Sequence, residues 1–416
     1  MGLKILFTNS ALAVRAGTEL WVRDVALGLR ARGHAPAAFS TVLGAVAAEL
    51  RGAGVPVADD LDALAHEPDL IHGHHHLETT IASLRFPRAP VISFCHAATA
   101  WEELPARLPG VARHVAVDHA CRDRLVEECG IPAADVDVLY NFVDLARFPP
   151  RPPLPGRPRR ALAFGNAARE GTFLPAIRAA CAARGIALEA AGIGTRVLER
   201  PEEVLGDYDL VFAKARAAME AMATGCAVVL CDLAGAGPLV TSGAFEELRV
   251  QNFGLRTLTH PATAAHLGAQ IDRYDAADAT RVRALMRTAG DLQRRLDELL
   301  ALYAAVLAAP RPPPDPAALA AAAGAYLRWL APAVKTGRAA DRAQEALAEA
   351  RRSLAAGRDR EARLEALLAA TQRELARMQR EPGLRLQAAA TRLPLVGGAL
   401  RALGRALFGS ARPPAD

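Results

Sequence analysis

The sequence predicts an α/β protein made of two parallel-sheet domains in tandem, and three observations carry that prediction. Short apolar runs such as Ile5–Phe7, Val91–Cys95, Leu210–Ala213 and Ala227–Cys231 alternate with helical stretches, the pattern of strands buried on both faces. The chain has 416 residues, too many for one ordinary domain. A proline-rich run, Pro149–Pro158, forms neither helix nor central strand and divides the two halves.

Composition narrows the class. Apolar residues make up 51% of the chain, enough for two cores, and no run approaches the length expected of a membrane-spanning helix. The start, Met-Gly-Leu-Lys-Ile-Leu-Phe, opens into a strand and lacks the regions of a signal peptide. Six scattered cysteines form no Cys-x-x-Cys pair, as expected of reduced, buried thiols in a cytoplasmic chain. A net charge of +5 does not imply nucleic acid. The Ala and Arg content suggests a GC-rich bacterial genome.

Lys4–Asn9 reads as the first strand, Ser10–Gly17 as a loop, and Thr18 as the cap of a helix ended by Gly33-His34. Gly17 lets the backbone approach a ligand closely. Further strands are expected at Ala35–Ser40, Val55–Val57, Asp69–His72, Val91–His96 and Val111–Val117, with a helix at Cys121–Gly130. The run Ile-His-Gly-His-His-His (Ile71–His76) suggests zinc, but consecutive imidazoles do not converge on one ion and no Cys or carboxylate cluster completes four ligands. No metal is expected there. His96, at the end of Val-Ile-Ser-Phe-Cys-His, is the better functional candidate.

In the second half, Arg160–Asn166 and Leu188–Gly194 read as strands followed by glycine-bearing turns. Asp207-Tyr-Asp209 precedes a strand and is expected to cap it, not to hold metal. The stretch DLVFAKARAAMEAMATGCAVVLCD (Asp209–Asp232) reads strand, basic loop, helix from Ala217, strand. Lys214, Arg216 and the free N–H groups of the helix start would face one point, which suits an anion. Glu220, one turn in, would accept hydrogen bonds from sugar hydroxyls. Ala277–Ala308 reads as one long helix with Leu292, Leu296, Leu299, Leu300, Tyr303 and Val306 on one face.

At these residues a family resemblance enters. MEAMATGCAVVLCD followed by AGAGPLV is similar to the EAMA-x-G-x-PVV…GG-x-x-E-x-V segment of retaining GT-B glycosyltransferases, family 4 in particular. RAGTELWVRDVALGLRARGH resembles the family's opening and DVLYNFVDLARF the passage into its linker, where Asn141 and Asp144 would fix the crossing. The resemblance implies two Rossmann-like domains, a closing helix that returns to the first domain, and a nucleotide-sugar donor bound without cofactor or metal. It places Glu220 on the donor ribose, His96 on the donor sugar or phosphate, and Gly17 at the cleft. Gly192 and Gly194 stand in the family's glycine turn. The pattern departs in three places. The first glutamate of the pair is replaced by Phe212, Asn166 stands where an arginine is expected with Arg169 the nearest cation, and Gly237–Val240 carries no acid. Lys214 and Arg216 would then supply part of the phosphate charge. The implied catalytic set is His96, Lys214 and Glu220, and the donor set Gly17, Arg169, Gly192, Gly194, Lys214, Arg216 and Glu220.

The expected layout is an N-terminal, acceptor-side domain over 1–148, a linker at 149–159, and a nucleotide-sugar-binding domain over 160–308. A Pro/Ala-rich connector follows at 309–337, with a short helix Ala317–Ala331, then a helical, coiled-coil segment at 338–381 and a basic amphipathic tail at 382–416. Leu347, Leu354, Leu368 and Leu375 share a heptad register that offers a homodimer seam, weakened by Gly357 by roughly 1 kcal/mol. The tail's arginines, with Leu400, Leu403 and Leu407 on one face, suit an anionic membrane surface.

The expected function is transfer of a sugar from a nucleotide-diphosphate donor to a glycan or lipid-linked acceptor in bacterial surface polysaccharide assembly. It would take place in the cytoplasm, on the inner face of the cell membrane. Two alternatives stay open: a non-catalytic GT-B scaffold of a membrane-associated glycan assembly, and a GT-B sugar-nucleotide epimerase.

Overall fold

A computed structural model describes residues 2–192, 195–356, 369–373 and 376. Gly194, most of the heptad segment beyond residue 356 and the basic tail at 382–416 lie outside the described residues.

The first half alternates strand and helix: β1 (Lys4–Thr8), α1 (Gly17–Ala31), β2 (Ala35–Phe39), α2 (Ala45–Gly52), β3 (Val57–Ala58), β4 (Leu70–His74), α3 (His76–Arg85), β5 (Val91–Cys95), β6 (Val111–Ala116), α4 (His119–Asp123) and β7 (Val136–Val138). All pairings are parallel in the order β3-β2-β1-β4-β5-β6-β7. The order reverses between β1 and β4, and a crevice for ligands opens at such a point, beyond the strands' C-terminal ends. Trp21, Val22, Val25, Ala26 and Leu29 bury one stripe of α1 on this sheet. The helix begins at Gly17 with Ala16 as its cap. Thr18 does not cap it, because its hydroxyl donates instead to Glu19 (3.1 Å).

The second half holds β8 (Arg160–Phe164), α5 (Leu174–Ala182), β9 (Ala187–Ala191), α6 (Pro201–Val204), β10 (Leu210–Ala213), α7 (Ala215–Thr224), β11 (Ala227–Asp232), β12 (Gly235–Leu239), α8 (Phe245–Arg249), α9 (Ala264–Ile271), α10 (Ala276–Ala289), α11 (Leu292–Ala308) and α12 (Pro316–Ala356). Its sheet runs β12-β11-β10-β8-β9, parallel except for the edge strand β12. The order reverses between β8 and β10, so the loops carrying Asn166–Arg169 and Lys214 open at the same point. Asp209 ties the strand starts together by accepting from the Arg159 and Arg160 amides (2.8 and 3.2 Å) and from Arg151 (3.0 Å). This is the capping role its position suggested.

Gly225 closes α7 at φ 109°, and a Cβ there would sit 3.0 Å from Arg283 Cδ. Gly225→Ala should therefore cost about 1 kcal/mol or more in urea unfolding. An unchanged midpoint would contradict the left-handed cap.

Two helical expectations need correction. Ala277–Ala308 is not one helix: Gly290 ends α10, and the Asp291 carboxylate caps α11 by accepting from the Gln293 amide (3.0 Å). The break turns α11 back across the molecule. Leu292, Leu296, Leu299, Tyr303 and Val306 join the first-half core with Phe7, Trp21, Val25 and Leu29. Nor does the helix after the proline-rich run stop at Ala331. Asp315 caps α12 with Pro316 at the first helical position, and α12 continues through Pro332 to Ala356. Pro332 removes one backbone donor, but the alanine-rich run on either side retains helix propensity. Pro316–Gly337 is moreover long and apolar enough to cross a membrane by length and composition (mean hydropathy 1.3), and none of it is buried. The alanines, each weakly apolar, sum to what no single apolar run suggested.

The halves are stitched just before the linker. Val143 N–H donates to Gly290 O (2.7 Å), and Val143 O accepts from the Leu292 N–H (3.1 Å). Buried Arg249 donates to Asn141 O (2.6 Å) and Asn252 Oδ1 (2.7 Å), while Asn141 N–H donates to Asn252 Oδ1 (3.1 Å). All six cysteines are free and buried.

Candidate active site

The candidate residues fall at the switch points of the two sheets. On the second sheet, β10 delivers the chain to Lys214, whose extended backbone caps α7. Ala215 takes φ 48°, and the helix starts there, two residues before the expected Ala217. That early start separates the two cations. Lys214 Nζ turns to Asp232 Oδ2 at the end of β11 (2.6 Å), whereas Arg216, already helical, points along α7. Arg216 Nε donates to Glu220 Oε1 (2.7 Å), and its Nη2 donates to Asp24 of α1. The expectation that Lys214 and Arg216 converge on one anion is therefore corrected: Lys214 faces the mouth of the sheet and Arg216 bridges two carboxylates.

Asp24 is the hub of this contact. Arg23 donates to its Oδ1 from Nε (2.8 Å) and Nη2 (2.6 Å), and Arg147 Nη1 stands 3.5 Å away. Arg147 also reaches Glu202 (2.9 Å), and Arg23 reaches Glu49 (3.2 Å). Burial alone would raise the Asp24 carboxyl, but Arg216, Arg23 and Arg147 outweigh it and hold it below the carboxylate range. At Glu220 burial wins and the carboxyl is raised, although Arg216 opposes it.

The other donor candidates differ in placement. Gly17 opens α1, and a Cβ there would meet nothing within 4 Å. Arg169 is exposed and forms no ion pair among the described residues. Gly192 serves packing more directly than ligand approach: at φ 153° a Cβ would lie 2.1 Å from Gly165 O, so the turns after β8 and β9 touch there. Phe212, in place of the first glutamate, is buried in the second core.

On the first sheet the histidines form a stack. His72 Nδ1 meets the Tyr303 hydroxyl (2.5 Å), and its Nε2 lies 3.0 Å from His74 Nε2. His96 Nε2 stands 3.3 Å from the same His74 atom, and Trp21 packs on all three rings. A consistent set of neutral tautomers has Tyr303 donating to His72 and His72 donating to His74. Burial lowers all three pKa values, that of His96 to about 4. His75, at φ 62°, differs: its Nδ1 accepts from the Ser10 amide (2.9 Å), and its Nε2 faces Glu103 Oε1 (3.4 Å). Burial lowers the His75 pKa, but Glu103 outweighs it and the net shift is upward. Glu103 Oε2 also accepts from the His96 amide (2.7 Å), fixing the candidate histidine's backbone. Among the described residues no group of three His, Cys, Asp or Glu side chains is arranged to hold a metal ion.

His76 begins α3 in an aromatic nest of Trp101, Tyr326 and Trp329, with its Nδ1 2.7 Å from the Tyr326 hydroxyl. Thus α12 docks beside the mouth of the first sheet. Asp24, Glu103 and this docking were not foreseen. Asp24 and Arg216 lie 192 positions apart, and nothing local in either segment signals the partner.

Two Rossmann-like halves facing each other across switch points define a GT-B architecture. Residues 15–147 match the sequence model of the family described as Glycosyltransferase Family 4. A glycosyltransferase from Rickettsia africae ESF-5 superposes with a TM-score of 0.53 at 14% identity, covering 74% of this chain and 100% of its own. Anabaena HepE, in complex with UDP and glucose, gives a TM-score of 0.55 at 19% identity over 73% of this chain and 99% of its own. No curated protein matches the chain in sequence. The chain has the GT-B fold, and its first half is similar to Glycosyltransferase Family 4.

Proposed function

We propose that the protein transfers a glycosyl group from a nucleoside-diphosphate sugar to a hydroxyl of a glycan or lipid-linked acceptor, with retention and without metal or cofactor, in bacterial surface polysaccharide assembly. The observation that carries this reading is Glu220, one turn into a helix that starts at the switch point of the second sheet. There a carboxylate suits the ribose, while the first-turn N–H groups of α7 and Lys214 suit the diphosphate. The binding of UDP and glucose by the similarly folded HepE supports a nucleotide-sugar donor. In this reading the leaving diphosphate displaces Asp232 from Lys214, and its growing charge is stabilised by that ammonium and by Arg169. Glu220 would hold the ribose and His96, neutral at pH 7, would face the donor sugar across the cleft. The basic tail would keep the enzyme on the inner membrane surface, and the heptad segment would pair two copies.

Two observations favour the scaffold reading: Phe212 replaces an acid, and Glu220 is already engaged by Arg216. Thermal stabilisation by nucleotides and nucleotide sugars tests between the two. A ligand at a hundred times its Kd should add about 2.7 kcal/mol to stability. A shift with one diphosphate series, abolished by Glu220→Ala and by Lys214→Ala, is expected. No shift with any nucleotide up to millimolar concentration would leave the scaffold. Donor consumption without acceptor would point to the epimerase.

A further inference from the structure

Arg216 is held between two carboxylates that come from different halves of the chain. Its Nε serves Glu220 Oε1 and its Nη2 serves Asp24, so each acid receives a single N–H donor in place of a two-pronged pair. Among the described residues no protein donor is seen on Glu220 Oε2, which leaves that oxygen for a ligand hydroxyl. Asp24 is 3% exposed and Glu220 6%, so water screens this exchange little. Asp24 is itself held by Arg23 and Arg147, which makes it a fixed anchor for the guanidinium.

From this geometry we propose that Asp24 is a positioning residue for Glu220, acting through Arg216 and across the cleft. The inference rests on the donor-site reading above. Asp24 restrains Arg216 from turning its whole fork onto Glu220, and so keeps Oε2 open to the donor's ribose. Because Asp24 belongs to α1, the carboxylate is set for the donor only when the two halves stand in this relation. Donor recognition is thereby coupled to the first half, which carries no donor contact of its own in this exchange. With Asp24→Asn the anchor loses its charge, the guanidinium closes on Glu220 through two N–H donors, and the ribose hydroxyls lose their acceptor.

The test is a double-mutant cycle read by calorimetric titration with UDP, GDP, ADP and dTDP. Asp24→Asn should weaken the best of these diphosphates about tenfold, the scale of one charge-assisted hydrogen bond. In a Glu220→Gln background the same substitution should cost nothing further, because the carboxylate it positions is gone. Arg216→Lys keeps the charge but cannot bridge both acids. It should reproduce the loss, and it carries the test should Asp24→Asn fail to fold. Unchanged affinity in both single variants, or losses that add fully to that of Glu220→Gln, would overturn the positioning role while leaving the donor site intact. A wild-type protein that binds none of the four diphosphates would instead overturn the donor reading, and the positioning role with it.

Discussion

The melting temperature should fall steeply as pH drops below about 6.5, well before the carboxylates begin to titrate. His72 and His74 are pushed well below the ordinary histidine value by burial, and His76, His96 and His114 to about 4. A histidine whose folded pKa lies below its unfolded value takes up its proton preferentially in the unfolded chain. Its penalty is absent above 6.5 and grows as pH falls toward the folded value. Each such group costs about 1.4 kcal/mol per pH unit in that window. His75 has the opposite sign, since its raised pKa contributes stability below 6.5 that is lost as pH rises. The raised carboxyls of Glu19, Glu78 and Glu220 also oppose the loss, though only nearer their own range. The first units below 6.5 therefore report mainly the histidines. Calorimetric melting across this range checks the effect, and His74→Gln, which cannot take the proton, should flatten the slope. A wild-type melting temperature that stays level from neutral to about pH 5 would show that the imidazole stack is not the neutral, dry cluster drawn here.

Features governed by local rules were legible in the sequence; contacts between distant segments were not. Leu210–Ala213, the helix through Thr224 and the stop at Gly225 follow from strand periodicity, helix propensity and a left-handed cap, all within two dozen residues. The apolar face of α11 was equally clear, because spacings of three and four do not depend on what they meet. The break at Gly290-Asp291 carried its own signal, a glycine stop followed by an acidic cap, which the continuous apolar register obscured. At the candidate site, the placement of Glu220 and Lys214 beside a strand end was legible because a strand end and a helix start locate them. The direction of Arg216 was not, since two residues of extra helix turn it from the mouth toward Asp24. The pairing of His75 with Glu103 was missed for a different reason: it joins the end of β4 to a loop beyond β5, and only the folded sheet brings the two together.

Leu296→Ala should destabilise the protein by about 3 kcal/mol, a full core-cavity penalty, although residue 296 follows both sheets in the chain. Leu296 is fully buried in the first-half core beside Trp21, Val25 and Leu29. Its seat is made by Gly28 of α1, where an added Cβ would come within 2.6 Å of Leu296 Cδ1. The glycine thus costs α1 some helix propensity and admits the leucine of a helix returning from the other half. Gly28→Ala alone should destabilise by overpacking, despite the gain in helix propensity. Combined with Leu296→Ala, however, the new methyl enters the vacated space, so the double variant should lose less than the sum of the two. Urea unfolding of the four proteins measures this coupling. Strictly additive losses would show that α11 does not sit in the Gly28 hollow. A positive coupling would show that the helix closing the second half is part of the first half's core. Glu220 and the histidine stack would then be held in register by packing as well as by the Asp24–Arg216 contact.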